Sequence, residues 1–284
     1  MIYFKKLGEM GRLGNQMFQY AALRGLCLLN GYRAVISNLS AKSCHGQSGL
    51  LNEFNIKADI YKGELSYGRY KEPSWRRVDE NFFDLKDNRT IEGYFQSIFY
   101  FQHRKETIKQ ELTPKHHHLE AAMVKINGIR EMYNAEVVSV HLRRGDNLTE
   151  PRSIPNYGKV YEDNGVFFRY LLKAKNVFLG RKVKFLVFTG GARGKEDNTP
   201  DMDWCRKNLI GDEYVFLDGE DPVSDFSRIM LCDHNILSHI SSFGWWAAYL
   251  NRNPNRITVA PEYYHPEEPT LKRHMFYPKG YILI

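Results

Sequence analysis

Apolar runs and amphipathic stretches alternate through the second half of the chain. The β-prone run VVSVHL at 137–142 predicts a buried strand, and VFFRYLLKAKNVF at 166–178 carries apolar residues at helical spacing. The series continues with VKFLVFT at 183–189 as a strand and DMDWCRKNL at 201–209 as a helix start. EYVFLD at 213–218 reads as a strand, VSDFSRIMLC at 223–232 as a helix behind Pro222, and HNILS at 234–238 as a strand. SSFGWWAAYLN at 241–251 then predicts a helix and RITVAP at 256–261 a strand. Alternation of this kind predicts the α/β class, with a mostly parallel sheet covered on both faces.

The first half is less regular. MIYFKKL at 1–7 predicts a short strand, GEMGRLGNQ at 8–16 a glycine-rich turn, and 17–29 a helix with a broad apolar face. Asn15 is the expected N-cap of that helix and Gly31 its expected stop. AVIS at 34–37 reads as a second strand. Residues 61–90 are polar, charged and aromatic without periodicity and read as irregular. An aromatic segment, GYFQSIFYFQ at 93–102, leads into a helix near 103–112, and another helix is expected around 119–132. The 284 residues exceed one ordinary core, so two domains are expected, 1–134 and 135–284.

Composition is globular, and the balance of 40 basic against 33 acidic residues gives a net charge of +7. Lys and Arg are dispersed, which favours a focused anion site over a nucleic-acid stripe. Cys27, Cys44, Cys205 and Cys232 form no CxxC pair, against both a zinc site and a disulfide scaffold. The run His116–His118 has no accompanying carboxylate or cysteine pattern and reads as a solvated stretch. The N-terminal residues lack a long apolar segment, and no stretch approaches membrane-spanning length. A cytoplasmic protein is expected, working beside a membrane at most peripherally.

The candidate chemistry centres on HLRRGD at 141–146, directly behind VVSV. Ligands of open α/β sheets bind just beyond the carboxyl ends of strands, and guanidiniums there suit a phosphate or diphosphate. The alternative is a strand end capped by a structural Arg–Asp ion pair. Successive strand residues alternate faces, so Arg144 is expected to point away from Arg143 and to pair with Asp146. Gly14, Asn15 and Gln16 stand where a glycine turn opens a helix, a place whose free N–H groups favour an anion.

GRLGNQMFQYAAL at 11–23, HLRRGD at 141–146, DFSRIMLCDHNILS at 225–238 and SSFGWWAAYLN at 241–251 together resemble the α1,2-fucosyltransferases of glycosyltransferase family 11. GYFQS at 93–97 and DMDWC at 201–205 fit the same pattern, in order along nearly the whole chain. The resemblance implies a GT-B fold, two Rossmann-like lobes with a cleft between them. It implies GDP-L-fucose as donor, bound by the second lobe, and a galactose-containing glycan acceptor on the first. It also implies transfer to the galactose 2-hydroxyl with inversion, and no metal.

On that resemblance Arg143 binds the β-phosphate and is the principal catalytic residue. His141 lies beside the guanine, although a hydrogen-bonded core histidine is the alternative. Asp225 binds the guanine edge; the alternative is a first-turn aspartate favoured by the helix dipole. Ser241, Ser242 and Phe243 face the diphosphate, and an ordinary serine N-cap is compatible with that role. Gly14, Asn15 and Gln16 form the first lobe's contribution to the donor. Glu150 and Asp146 are the candidate bases for the acceptor hydroxyl. Trp245 and Trp246 read as packing residues. The chain carries Gly244 where many members of the family have serine or another residue, and extra polar residues between 189 and 205 predict a loop. A fucosyltransferase of another linkage, or a non-catalytic module binding GDP or glycan, remains open from the residues alone.

Overall fold

The computed structural model describes residues 1–37, 49–61, 63, 67–74, 77–149, 158–161, 165–190, 199–217, 221–239, 241–262 and 276–284. Two compact units result, Met1–Lys115 with His274–Pro278, and His116–Arg273 with Lys279–Ile284.

In the first unit, strands β1 (Ile2–Phe4), β2 (Ala34–Ser37), β3 (Asp59–Tyr61), β4 (Gly68–Lys71) and β5 (Arg89–Glu92) form a sheet ordered β3-β2-β1-β5-β4. Every pairing is parallel. Helix α1 (Leu13–Asn30) starts earlier than its composition predicts, because Leu13 and Met17, one turn apart, are both buried. Asn15 therefore lies inside the first turn, and Arg12 occupies the N-cap position without a side-chain cap. At the other end Gly31 stops the helix as expected, in a left-handed conformation, with its N–H on the Cys27 carbonyl. β4 and the first half of β5 fall in the stretch expected to be irregular. β4 is an edge strand whose four residues are exposed or half-buried, so no alternation of apolar residues marks it. Helix α2 (Lys105–Glu111) follows the aromatic segment.

The second unit opens with helix α3 (His116–Tyr133), which takes in the three histidines as its first turn; His116 faces Glu120 in an exposed i,i+4 pair at 3.1 Å. The division between units thus precedes α3 instead of following it at Asn134. Two interactions explain this. α3 buries Ala122, Ile126 and Ile129, and its Arg130 holds both carboxylate oxygens of Asp233 at 3.0 Å. Asp233 in turn accepts the Val137 N–H at 2.8 Å, tying α3 to the first strand of the second sheet.

That sheet comprises β6 (Glu136–Arg143), β7 (Val183–Gly190), β8 (Tyr214–Phe216), β9 (His234–Ile236), β10 (Thr258–Ala260) and β11 (Ile282–Leu283), ordered β11-β10-β9-β6-β7-β8 and parallel throughout. Helices α4 (Val166–Asn176), α5 (Thr199–Asn208), α6 (Pro222–Leu231) and α7 (Ser242–Leu250) alternate with the strands as the sequence predicts. β11, two residues long, is too short for any pattern to announce it. β6 and β9 are joined inside by amides: Asn235 donates to Ser139 Oγ at 2.8 Å, and Asn251 donates to Asn235 Oδ1 at 2.9 Å and to the Cys232 carbonyl at 2.8 Å. A satisfied buried network of this kind fixes register as well as contributing stability. Trp245 and Trp246 are buried packing residues, as are Cys27 and Cys232. Among the described residues no helix is long and apolar enough to cross a membrane.

Candidate active site

Because β6 and its neighbours run parallel, their carboxyl ends share one edge of the sheet. β6 delivers Arg143 there, beside Gly190 at the end of β7. The Arg143 side chain is 17% exposed. Its Nη1 donates to the carbonyls of Gly190 at 3.1 Å and Arg144 at 3.2 Å, and its Nη2 donates to Asp146 Oδ1 at 2.6 Å. A guanidinium carries five N–H groups. Among the described residues, Nε–H and one Nη2–H remain for a ligand. The backbone N–H of Arg143 donates to the Tyr161 hydroxyl at 2.6 Å, which fixes the strand tip.

The expected pairing of Arg144 with Asp146 does not occur. Arg144 turns to the opposite side, where its Nε donates to Asp201 Oδ1 at 3.1 Å and its guanidinium lies 3.7 Å from the centre of the Trp204 ring. Gly145, with φ +57°, then reverses the chain into a left-handed turn that only glycine adopts without penalty. That turn brings Asp146 back beneath Arg143. Alternation of faces separates the two arginines as predicted; the glycine turn decides which one receives the aspartate.

His141 lies at the same edge, 5% exposed. Its ring stacks at an angle on Phe243 at 5.6 Å, and Phe243 meets Phe226 edge-on at 5.4 Å. Burial first, and the Arg143 charge second, push the imidazole down to about 3, so it is neutral at physiological pH. Its Nδ1 is buried without a hydrogen-bond partner among the described residues. Gly244 leaves room for this ring: a Cβ there would stand 3.0 Å from His141 Nδ1 and 3.2 Å from Cγ. Ser241 is the N-cap of α7, its hydroxyl accepting the Gly244 N–H at 3.2 Å, and Ser242 and Phe243 occupy the first turn. Asp225 lies in the first turn of α6, behind the Asp221 cap, and Arg228 Nη1 reaches its Oδ1 at 3.4 Å. His141, Arg143, Asp146, Asp225 and Ser241–Phe243 are thus gathered at the ends of β6 and β9 and the starts of α6 and α7.

Gly14, Asn15 and Gln16 belong to the first unit. Gly14 and Gln16 are buried, and Gln16 Nε2 reaches the Gly11 carbonyl at 3.5 Å. Asn15 Oδ1 accepts from Gln96 Nε2 at 2.7 Å, joining the GRLGNQ and GYFQS segments. Glu150 and the loop residues 191–198 lie outside the described residues. The sequence reading missed Tyr161 and gave Asp201 no role beyond starting a helix. Tyr161 sits in the one-turn segment Gly158–Tyr161, which has no periodicity to expose it.

Residues 6–284 match the model of Glycosyl transferase family 11. The chain belongs to this family. It is 33% identical over 258 residues to galactoside alpha-(1,2)-fucosyltransferase 1 of Aotus azarae, covering 84% of this chain and 63% of that protein. It is 31% identical over 284 residues to galactoside alpha-(1,2)-fucosyltransferase 2 of Rattus norvegicus, covering 94% of this chain and 72% of that protein. Among solved structures, NodZ alpha-1,6-fucosyltransferase soaked with GDP-fucose superposes with a TM-score of 0.51 at 13% identity, over 88% of this chain and 91% of that one. The fold of this family member is accordingly α/β of the GT-B type, built from the two parallel sheets described above.

Proposed function

We propose that the protein transfers L-fucose from GDP-β-L-fucose to the 2-hydroxyl of a terminal galactose in a glycan, with inversion and without a metal. The observation that carries this reading is the partly exposed guanidinium of Arg143 at the tip of β6, in a chain one-third identical to galactoside alpha-(1,2)-fucosyltransferases. On this reading the second unit binds the nucleotide and the first carries the acceptor.

In the reaction the acceptor oxygen attacks carbon 1 of fucose from the face opposite the diphosphate. The bond from carbon 1 to the β-phosphate oxygen breaks, its electron pair stays on the phosphate, and the fucoside becomes α. Negative charge develops on the β-phosphate, where the remaining N–H groups of Arg143 stabilise it; the preplaced cation costs no reorganisation. Such a cation also takes the place of a divalent metal. Asp146, Asp201 and Asp225 are each engaged by an arginine, which makes them poor ligands for a metal ion. Neutral His141 and Phe243 flank the guanine with Asp225 on its edge, and the α7 start with Ser241 and Ser242 faces the diphosphate. Asp146 serves Arg143, and the acceptor proton passes to Glu150.

The test is incubation with GDP-fucose and a panel of galactosides, with the product linkage read by NMR. An α1,2-fucosyl galactoside is expected. A product of other linkage replaces the acceptor assignment, and GDP binding without fucose turnover refutes catalysis.

A further inference from the structure

We infer that Asp201 is a positioning residue for the phosphate-binding cation, acting through the turn that carries Arg143; this rests on the fucosyl-transfer reading. Each residue from 143 to 145 is gripped by a side chain outside β6. Tyr161 takes the Arg143 N–H at 2.6 Å, while Asp201 Oδ1 takes Arg144 Nε at 3.1 Å and Asp201 Oδ2 takes the Gly145 N–H at 2.9 Å. One carboxylate therefore fixes both a side chain and the backbone of the turn. Trp204 lies three residues further along the same helix, hence on the same face, and holds the other surface of the Arg144 guanidinium. Arg144 is 8% exposed, so the pair works with little solvent screening.

The consequence reaches Arg143 by two routes. Oδ2 on the Gly145 N–H stabilises the left-handed turn that places Asp146 under Arg143. Oδ1 on Arg144 keeps the second arginine from competing for Asp146 and cancels its charge. Without Asp201, two adjacent guanidiniums share one carboxylate and Arg143 loses its fixed direction. Displacement of about 1 Å at a reacting group is enough to cost on the order of a hundredfold in rate.

The experiment uses the full chain and its Asp201→Asn and Asp201→Glu variants. Calorimetric affinities for GDP and GMP are measured beside kcat and KM for GDP-fucose and thermal stability. GMP lacks the phosphate that Arg143 holds and reports on the rest of the site. For Asp201→Asn, GMP affinity is expected to stay within about twofold, while GDP affinity and kcat each fall about tenfold or more. Asp201→Glu keeps the charge and is expected to regain part of both. A wild-type GDP-to-GMP affinity ratio and kcat in a folded Asp201→Asn protein overturn the inference and leave the transfer reading intact. A wild-type protein that neither binds GDP nor transfers fucose overturns that reading, and the inference with it. Trp204→Phe, which keeps the carboxylate and weakens the stacking, covers the case in which Asp201→Asn does not fold. It is expected to lower the same ratio by about twofold to fivefold, and an unchanged ratio there overturns the inference.

Discussion

Arg143 and Asp146 face each other across one turn, with 2.6 Å between Nη2 and Oδ1 and side chains only 17% and 14% exposed. Charges this shielded are weakly screened by solvent and salt. The carboxylate therefore orients the guanidinium firmly while offsetting part of its charge. A diphosphate that joins the pair meets a cation already aimed but not at full strength.

The two partners should separate in kinetics. Arg143→Ala is expected to lower kcat by about a thousandfold or more, about 4 kcal/mol of barrier, in the range of a lost oxyanion donor. Asp146→Asn removes the opposing charge, so GDP affinity is expected to hold or rise while kcat falls about tenfold to a hundredfold as Arg143 loses direction. Isothermal titration with GDP and steady-state kinetics on both variants check this. Weakened GDP binding in Asp146→Asn would show that the carboxylate serves the nucleotide more directly.

Gly244→Ala tests the close approach of α7 to His141. Alanine favours a helix over glycine by about 1 kcal/mol. Against that gain, a methyl group 3.0 Å from Nδ1 must displace the ring, at a cost of about 1–3 kcal/mol. Thermal stability is expected to move little, and GDP affinity to fall about fivefold as His141 and Phe243 shift. In the double variant with His141→Ala, the two losses should not add, since the residues are in contact. Strict additivity in GDP affinity would mean that the methyl group acts elsewhere.

Much of the second unit was legible because its core strands and helices have opposite periodicities. VVSVHL and VKFLVFT are short β-prone runs, and α4 shows one apolar stripe, so the alternating order followed from pattern alone. The place of Arg143 at the end of β6 followed from the strand pattern, while its role did not, since a phosphate-binding cation and the Arg–Asp pair seen with Asp146 both suit that place. The partner of each arginine was not legible. Asp146 and Asp201 are both near enough in the fold, and the choice rests on the Gly145 turn and on Trp204, a stacking partner sixty positions from Arg144. In the first unit β4 escaped notice because that edge strand buries almost nothing, and β5 because its two buried residues, Ile91 and Glu92, are adjacent and show no alternation. The boundary differs from the expected one by the length of α3, whose buried face and whose Arg130 contact with Asp233 decide the unit it joins, and neither partner is adjacent in sequence.

His141 should make the protein sensitive to acid. Its folded value of about 3 lies below the ordinary 6.5, so between these limits the unfolded chain takes up a proton that the folded chain refuses. Stability from this source is complete above about pH 6.5 and declines as pH falls toward 3. Wild type is therefore expected to lose more thermal stability between pH 7 and pH 5 than His141→Gln, carboxylate effects being common to both. Ring NMR signals of His141 should not titrate in that interval. Equal pH slopes, or a midpoint near 6.5, would place the imidazole in water.

Removal of divalent metal should leave transfer intact. On the proposed reading, Arg143 supplies the positive charge opposite the leaving phosphate. The acidic side chains nearest the strand ends are committed: Asp146 to Arg143, Asp201 to Arg144, and Asp225 to Arg228. A metal drawn to this edge would have to displace a guanidinium from a carboxylate before finding two anionic ligands. Such pairs, 2.6 to 3.4 Å long and mostly shielded, resist that exchange more than exposed ones do. Initial rates in excess EDTA are expected to match those in magnesium or manganese within about twofold. Activity lost in EDTA and restored by manganese would mean that the metal carries the phosphate charge, and the role assigned to Arg143 would fall with it.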